Sequence, residues 1–220
     1  MGYYGSIQDM LQEQMNLAKS LKIEDVMRGK PETIGGFCQS FVGDTVISAG
    51  AVCDYRTMSI REKSNSIKTA SIPYIPGYLA TREAPAIIAA YEKLKEKPDV
   101  LLIGGNGIIH PRKLGIASYV GIILKKPSIG VAKSQLCGEL RGDRVFVDGE
   151  MRGFCLNPGK KLPLFVSPGH MVSMETSRKI VMKCTKNDFP EPLRQASLYA
   201  DEIKSKYEKD AAKGSPKKGK

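Results

Sequence analysis

Asp99-Val-Leu-Leu-Ile103 runs directly into Gly104-Gly-Asn-Gly107. A short run like this, apolar over Val100–Ile103, suits a strand buried on both faces of a parallel sheet. The glycine-rich loop opens a helix that reaches about Leu124, and Pro127–Val131 reads as a second buried strand. A strand, loop, helix and strand in this order commit the middle of the chain to an α/β architecture.

The flanking segments fit around that unit. Residues 6–28 read as a helix, with Ile7, Met10, Leu11, Met15, Leu17 and Leu21 at mostly helical spacing. Thr33–Phe41 and Thr45–Tyr55 are rich in β-formers and are joined by Val42-Gly43-Asp44, the pattern of a hairpin. A third strand is expected over Ser59–Ser71, a loop over 73–82 and a helix over 83–96. Further strands are expected at 143–148 and 163–166, and helices at Ser173–Lys183 and 190–209. A hairpin followed by alternating strands and helices gives a mixed central sheet flanked by helices. An RNase H-like fold is one such arrangement, and element order alone does not select it over others.

The 220 residues suit a single domain over 1–210, followed by a flexible basic tail over 211–220. No apolar run approaches the roughly 18 residues of a membrane span, and the N-terminus lacks the basic-then-apolar order of a signal peptide. A cytoplasmic monomer is therefore expected. The five cysteines (Cys38, Cys53, Cys137, Cys155, Cys184) form no CxxC pair, which argues against a zinc ribbon and for free thiols. The net charge is +11. From Lys204 to Lys220 seven lysines face two acidic residues, a net of +5, which leaves +6 for the rest. Such a balance favours an anionic partner, nucleic acid first, although lysines also serve solubility.

Several motifs carry chemistry. The loop Pro73-Tyr-Ile-Pro76 is stiffened by two prolines that fix φ, which suits either a crossover loop with a buried Tyr74 or a rigid projecting tip. Gly104-Gly-Asn-Gly107 matches neither the Walker nor the dinucleotide glycine pattern, so it reads as a tight strand–helix turn or as a backbone wall of a ligand site. His110 and His170 are the only histidines. Lys133 ends a buried strand, where it either holds a phosphate or is simply solvated.

Taken together, these stretches resemble the endonuclease V family. The resemblance is carried by Pro73-Tyr-Ile-Pro-Gly77 with Arg82-Glu-Ala-Pro85, and by Gly107-Ile-Ile-His-Pro-Arg112 with Gly115-Ile-Ala-Ser118. It continues through Gly130-Val-Ala-Lys133, Leu136-Cys-Gly138, Ser167-Pro-Gly-His170 and Ser173-Met-Glu-Thr176. The early Glu13-Gln14 and the late Pro190-Glu-Pro-Leu-Arg194 fit as well, so the likeness spans roughly residues 8–205. It implies an RNase H-like fold and Mg²⁺- or Mn²⁺-dependent hydrolysis of a phosphodiester on the 3′ side of inosine, in DNA or RNA. It makes Pro73, Tyr74, Ile75 and Pro76 a wedge that fills the gap left by a flipped base. Leu79, Gly107, Ile108, His110 and Gly115 become the base pocket, with Leu136 beside it. Glu83, Lys133 and His170 become catalytic residues, with Glu83 and His170 near the metal.

The resemblance also marks a departure. The family pattern places an Asp on the first strand, a Glu in Arg-Glu-Ala-Pro and an Asp just before the glycine loop. Here Glu83 stands, but Cys38 and Gly104 occupy the two Asp positions. Mg²⁺ needs hard oxygen ligands, which neither residue supplies from its side chain. Cys38 has three readings: a small filler of a former Asp position, part of a softer Zn²⁺ set with Glu83 and His170, or a nucleophile. The first is preferred. Asp44 in the hairpin turn and Asp54 at the far end of the next strand stand too far away to substitute.

Overall fold

The structure, a computed structural model, describes residues 6–157 and 162–214. Helix α1 (Ile7–Ala18) precedes three strands, β1 (Thr33–Val42), β2 (Thr45–Asp54) and β3 (Ile60–Thr69). Helix α2 (Leu79–Glu92), β4 (Val100–Gly104), α3 (Ile116–Leu124) and β5 (Ser128–Ala132) follow. A meander of β6 (Glu139–Arg141), β7 (Arg144–Val147), β8 (Glu150–Leu156) and β9 (Leu164–His170) then leads to α4 (Met174–Cys184). The two-residue strands β10 (Thr185–Lys186) and β11 (Phe189–Pro190) join α4 to α5 (Glu191–Gly214).

Among the described residues nine strands form one sheet in the order β3-β2-β1-β4-β5-β9-β8-β7-β6. Among the described residues the parallel pairings are those of β1 with β4 and of β4 with β5, in the middle of the sheet. The expected mixed sheet flanked by helices is present. Strand β4 shows how its sequence dictates its place. Leu101 and Ile103 pack with Phe37 beneath α2 and α3, while Val100 and Leu102 pack with Ile34 on the face covered by α4 and α5. Side chains alternate faces along a strand, so burial on both sides requires an unbroken apolar run. Each such side chain contributes about 1.5–3 kcal/mol by leaving water. Gly36 lets α5 approach β1: a Cβ there would lie 2.2 Å from the Pro192 carbonyl carbon.

Some boundaries differ from the expectations. Helix α1 ends at Ala18 rather than 28 because the following chain pairs with the end of β9. Met171 N–H donates to Lys22 O, Val26 N–H donates to Met171 O, and Asp25 accepts from Ser173 N–H at the start of α4. Helix α2 starts at Leu79, inside the expected loop, so Arg82-Glu-Ala-Pro85 lies within its first turns. Prolines at 73 and 76 are breakers, but nothing in 79–82 opposes a helix. Strands β6 and β8 were not anticipated, and β9 extends to His170. Helix α5 runs to Gly214, past the expected start of a tail at 211, and residues 215–220 lie outside the described residues. All five cysteines are free thiols. No described helix is long and apolar enough to cross a membrane.

Candidate nucleic-acid site at the ends of the parallel strands

The three parallel strands end on one side of the sheet, with Phe37 beside Ile103 and Gly104 beside Val131. Such strand ends are where open α/β sheets bind ligands, because the connecting loops diverge there. A cavity of about 490 Å³ opens at this point. Strand β1 contributes Cys38, Gln39 and Phe41; the following wall carries Tyr74 and Gly77, then Leu79, Ala80 and Glu83 of α2. The glycine loop supplies Gly104, Gly105 and Asn106, with His110, Leu114, Gly115 and Ile116 behind it. The chain after β5 adds Lys133 to Leu136, and Ser197 of α5 closes the far side.

The loop over 73–78 is clamped at its base. The Gly77 carbonyl accepts from Gln14 Nε2 at 3.0 Å, from Arg112 Nη2 at 2.8 Å and from the ring Nε2 of His110 at 3.1 Å. Arg112 Nε also donates to Gln14 Oε1, and its guanidinium lies 4.7 Å from the Tyr78 ring centroid. Gln14 is buried although it sits on a surface helix. Beyond the clamp the tip is open, and Tyr74 is 65% exposed. Pro73 and Pro76 are exposed and Ile75 is half-buried, and none of the three lines the cavity. His110 is itself part of the clamp. Burial and the nearby arginines push its imidazole down to about 4. The neutral ring gives its Nε2 proton to Gly77 and accepts Arg112 N–H at Nδ1.

The acidic side of the cavity is sparse. Glu83 is buried, and desolvation pushes its carboxyl up to about 7 against the opposing pull of Arg82. Burial likewise pushes the Cys38 thiol up to about 12, and its Sγ donates to Leu193 O at 3.4 Å. At neutral pH Cys38 is a protonated thiol, which fits the filler reading and not a nucleophile, whose reactive form is the thiolate. Lys133 stands over Phe189, with Nζ 4.9 Å from the ring centroid. Asp44 pairs with Arg82 at 3.4 Å from the hairpin turn, and Asp54 is held by Arg61 at the opposite end of β2.

Two expectations are corrected here. His170 does not reach this site. It pairs with Ser128 at the start of β5, whereas the cavity lies at the end of that strand, about 13 Å further along. There His170 Nδ1 accepts from Lys22 N–H, and burial lowers its pKa. A metal set of Glu83 with His170, or of Cys38 with both, is therefore not assembled. Among the described residues no group of three or more His, Cys, Asp or Glu is placed to hold a metal ion. Gly107 and Ile108 lie behind the cavity wall. Their N–H groups are committed to Ser167 Oγ and Pro168 O, and a Cβ on Gly107 would lie 2.0 Å from Pro168 O.

Gln39, Asn106 and Ser197 were not singled out from the sequence. Gln39 Nε2 and Asn106 Oδ1 are buried without a hydrogen-bond partner among the described residues, though both side chains line the cavity. Buried amide atoms without partners are costly, so they mark where a polar ligand would be held. Asn106 was legible as the one polar side chain in the glycine loop. Gln39 was legible as a polar residue in a β-forming run. Ser197 had no local signal.

The comparisons with known proteins point to one family. The chain matches the family described as Endonuclease V over residues 15–198. It is 39% identical over 197 residues to Endonuclease V of Dictyoglomus turgidum, covering 85% of this chain and 86% of that protein. The crystal structure of the Streptomyces avermitilis Endonuclease V superposes with a TM-score of 0.86 at 25% identity, covering 94% of this chain and 96% of the other. The Ciona intestinalis Endonuclease V, crystallised with a 24mer DNA containing an inosine followed by a ribo-adenosine, gives a TM-score of 0.81 at 28% identity. That match covers 91% of this chain and 98% of that one.

Proposed function

This chain belongs to the endonuclease V family, and on that premise we propose that it recognises inosine in nucleic acid while its metal-dependent cleavage is impaired. The supporting observation is that, among the described residues, the cavity is lined by a single carboxylate, Glu83, beside a neutral thiol at Cys38 and a bare backbone at Gly104. Mg²⁺ or Mn²⁺ needs several hard oxygen donors. This donor set does not fit the metal that the family resemblance implies.

Tyr74, Leu79, His110 and Gly115 line one cavity, which supports the recognition half of this reading. In this reading Tyr74 enters the base stack from a loop anchored at Gly77, and the flipped base enters past Leu79, His110 and Gly115. Hypoxanthine presents a carbonyl where adenine carries an amine. Amide groups at Asn106 and Gln39 can read that difference by hydrogen bonding, without a formal charge. Lys133 stands where it can meet a phosphate, and the basic chain adds affinity that is independent of sequence.

A second reading is a nuclease with a rearranged site that cuts 3′ of inosine using Mg²⁺ or Mn²⁺. The persistence of Glu83 and Lys133 in one cavity favours it. Binding and cleavage of inosine-containing and control strands, measured in EDTA and with Mg²⁺, Mn²⁺ or Zn²⁺, separate the two. The binding reading expects inosine preference in EDTA and little nicking in any metal. Robust metal-dependent nicking would replace it with the second reading, and no preference for inosine would remove both.

A further inference from the structure

A second cleft, about 790 Å³ and thus larger than the base pocket, lies at the other end of the sheet. It sits between residues 27–32, the turn from β2 to β3, and α4. Thr33 and Asp54 pair beside it, so it opens eight residues, about 26 Å, along β1 from Phe41 in the base pocket. None of the base-pocket residues lines it.

Its floor is apolar and its rim is cationic. Met27 and Tyr55 pack against the core from the partly buried side, next to Ile180, and leave part of the Tyr55 ring to the cleft. Arg61 on the rim is engaged by Asp54 and Glu96. Lys30, Arg56, Lys179 and Lys183 form no salt bridge among the described residues, although Lys179 acts electrostatically on Asp25. Lys179 and Lys183 stand one turn apart on the same face of α4, so their ammonium groups reach one volume. Asp54 is already occupied by Arg61 and by the N–H groups of Arg56 and Thr57, which leaves Glu32 as the lining carboxylate without an ion pair.

We propose that this cleft is a nucleotide site, separate from the site that reads inosine. The volume lies in the range of small-molecule sites, which combine an apolar floor with a few convergent polar groups. The Tyr55 ring, with Met27, covers the base; Lys179 and Lys183 meet the phosphates across from Lys30 and Arg56. Glu32 suits the ribose hydroxyls, which donate hydrogen bonds, as phosphates do not. Arginine and lysine bind phosphate through charge-assisted hydrogen bonds, which are stronger than neutral ones.

Isothermal titration of the full chain with GDP, with inorganic pyrophosphate and with guanosine tests this. The expected result is one saturable GDP site, with pyrophosphate and guanosine each at least tenfold weaker. The exposed pair changed together, Lys179→Glu and Lys183→Glu, is expected to weaken GDP tenfold or more and to leave inosine-strand preference unchanged. Tyr55→Leu is expected to weaken GDP and spare pyrophosphate. Absence of saturable GDP binding overturns the proposal, as does unchanged GDP binding in the folded charge-reversed pair. Equal binding of pyrophosphate and GDP overturns the base contact. Displacement of GDP by an inosine-containing strand would make the cleft part of the strand path and overturn its separateness.

Discussion

Cys38 and Gly104 face each other across β1 and β4: a side-chain carbon added at Gly104 would lie 3.4 Å from the Cys38 Sγ. That is ordinary van der Waals contact, so the two positions form one small site with Glu83 beside it. A residue change at either is felt by the other.

The double change Cys38→Asp with Gly104→Asp is therefore expected to create a Mg²⁺ site from three adjacent carboxylates. Without a cation they repel one another, so the variant should be less stable than the parent in EDTA. At Mg²⁺ about 100 times its Kd the ion contributes about 2.7 kcal/mol, a rise in Tm of about 5–10 °C for a chain of this size. The parent should show little Mg²⁺-dependent shift. Mg²⁺-dependent nicking of inosine strands should appear with the shift. A variant that folds and takes up Mg²⁺ and inosine without cutting would count against the reading that these two positions alone limit cleavage.

Glu83 makes stability depend on pH in a definite direction. Its folded pKa of about 7 lies above the ordinary 4.5, so its contribution is full below about pH 4.5 and is lost as pH rises through 7. The difference corresponds to about 3 kcal/mol. Glu83→Gln cannot ionise, so it should match the parent near pH 4.5 and exceed it at pH 8, by about 6–12 °C in Tm. His110 titrates in the opposite sense, with its contribution lost as pH falls from about 6.5 towards 4. It is present in both proteins and cancels in the comparison. Denaturation of both proteins across pH 4.5–8 measures the effect, and parallel curves would contradict it.

Gln14 should act on recognition from a distance. Its side chain holds the Gly77 carbonyl and accepts from Arg112. Gln14→Ala leaves buried groups short of partners, at a cost of about 1–3 kcal/mol, and frees the base of the loop that carries Tyr74. The ratio of inosine to control affinity should fall while affinity for the control strand stays the same. A fall in Tm with an unchanged ratio would make the residue a stability element only.

Tyr74 should show the reverse pattern. At 65% exposure its loss should change stability by less than about 0.5 kcal/mol. If the ring fills the gap in a base stack, Tyr74→Ala should reduce inosine preference about tenfold, within the ~1–3 kcal/mol of one base–aromatic contact. Binding titrations on paired substrates decide it, and an unchanged preference would assign the tip another role.

The alternating elements from Val100 to Ala132 were legible because their burial pattern is local: an apolar run, a glycine turn, a helix and another run. The ordered motifs were equally legible and led to the family. The end of α1 was not, because what terminates it is the pairing of residues 22–26 with the chain around Met171, far away in sequence. The place of His170 was misjudged for the same reason: strand register, not motif membership, sets which end of the sheet a residue occupies.

The sequence by itself determined the α/β class, the family, and the identity of the side chains at positions 38, 83 and 104, since each of these rests on residue type and order. Only the tertiary structure decided that Cys38, Gly104 and Glu83 share one cavity, that His170 stands apart from it, and that Gln14 and His110 grip the loop of Tyr74. Distances and protonation arise from residues brought together by folding from far apart in the chain. The Glu83 carboxyl near 7 and the Cys38 thiol near 12 are products of burial, which no residue carries in its own sequence.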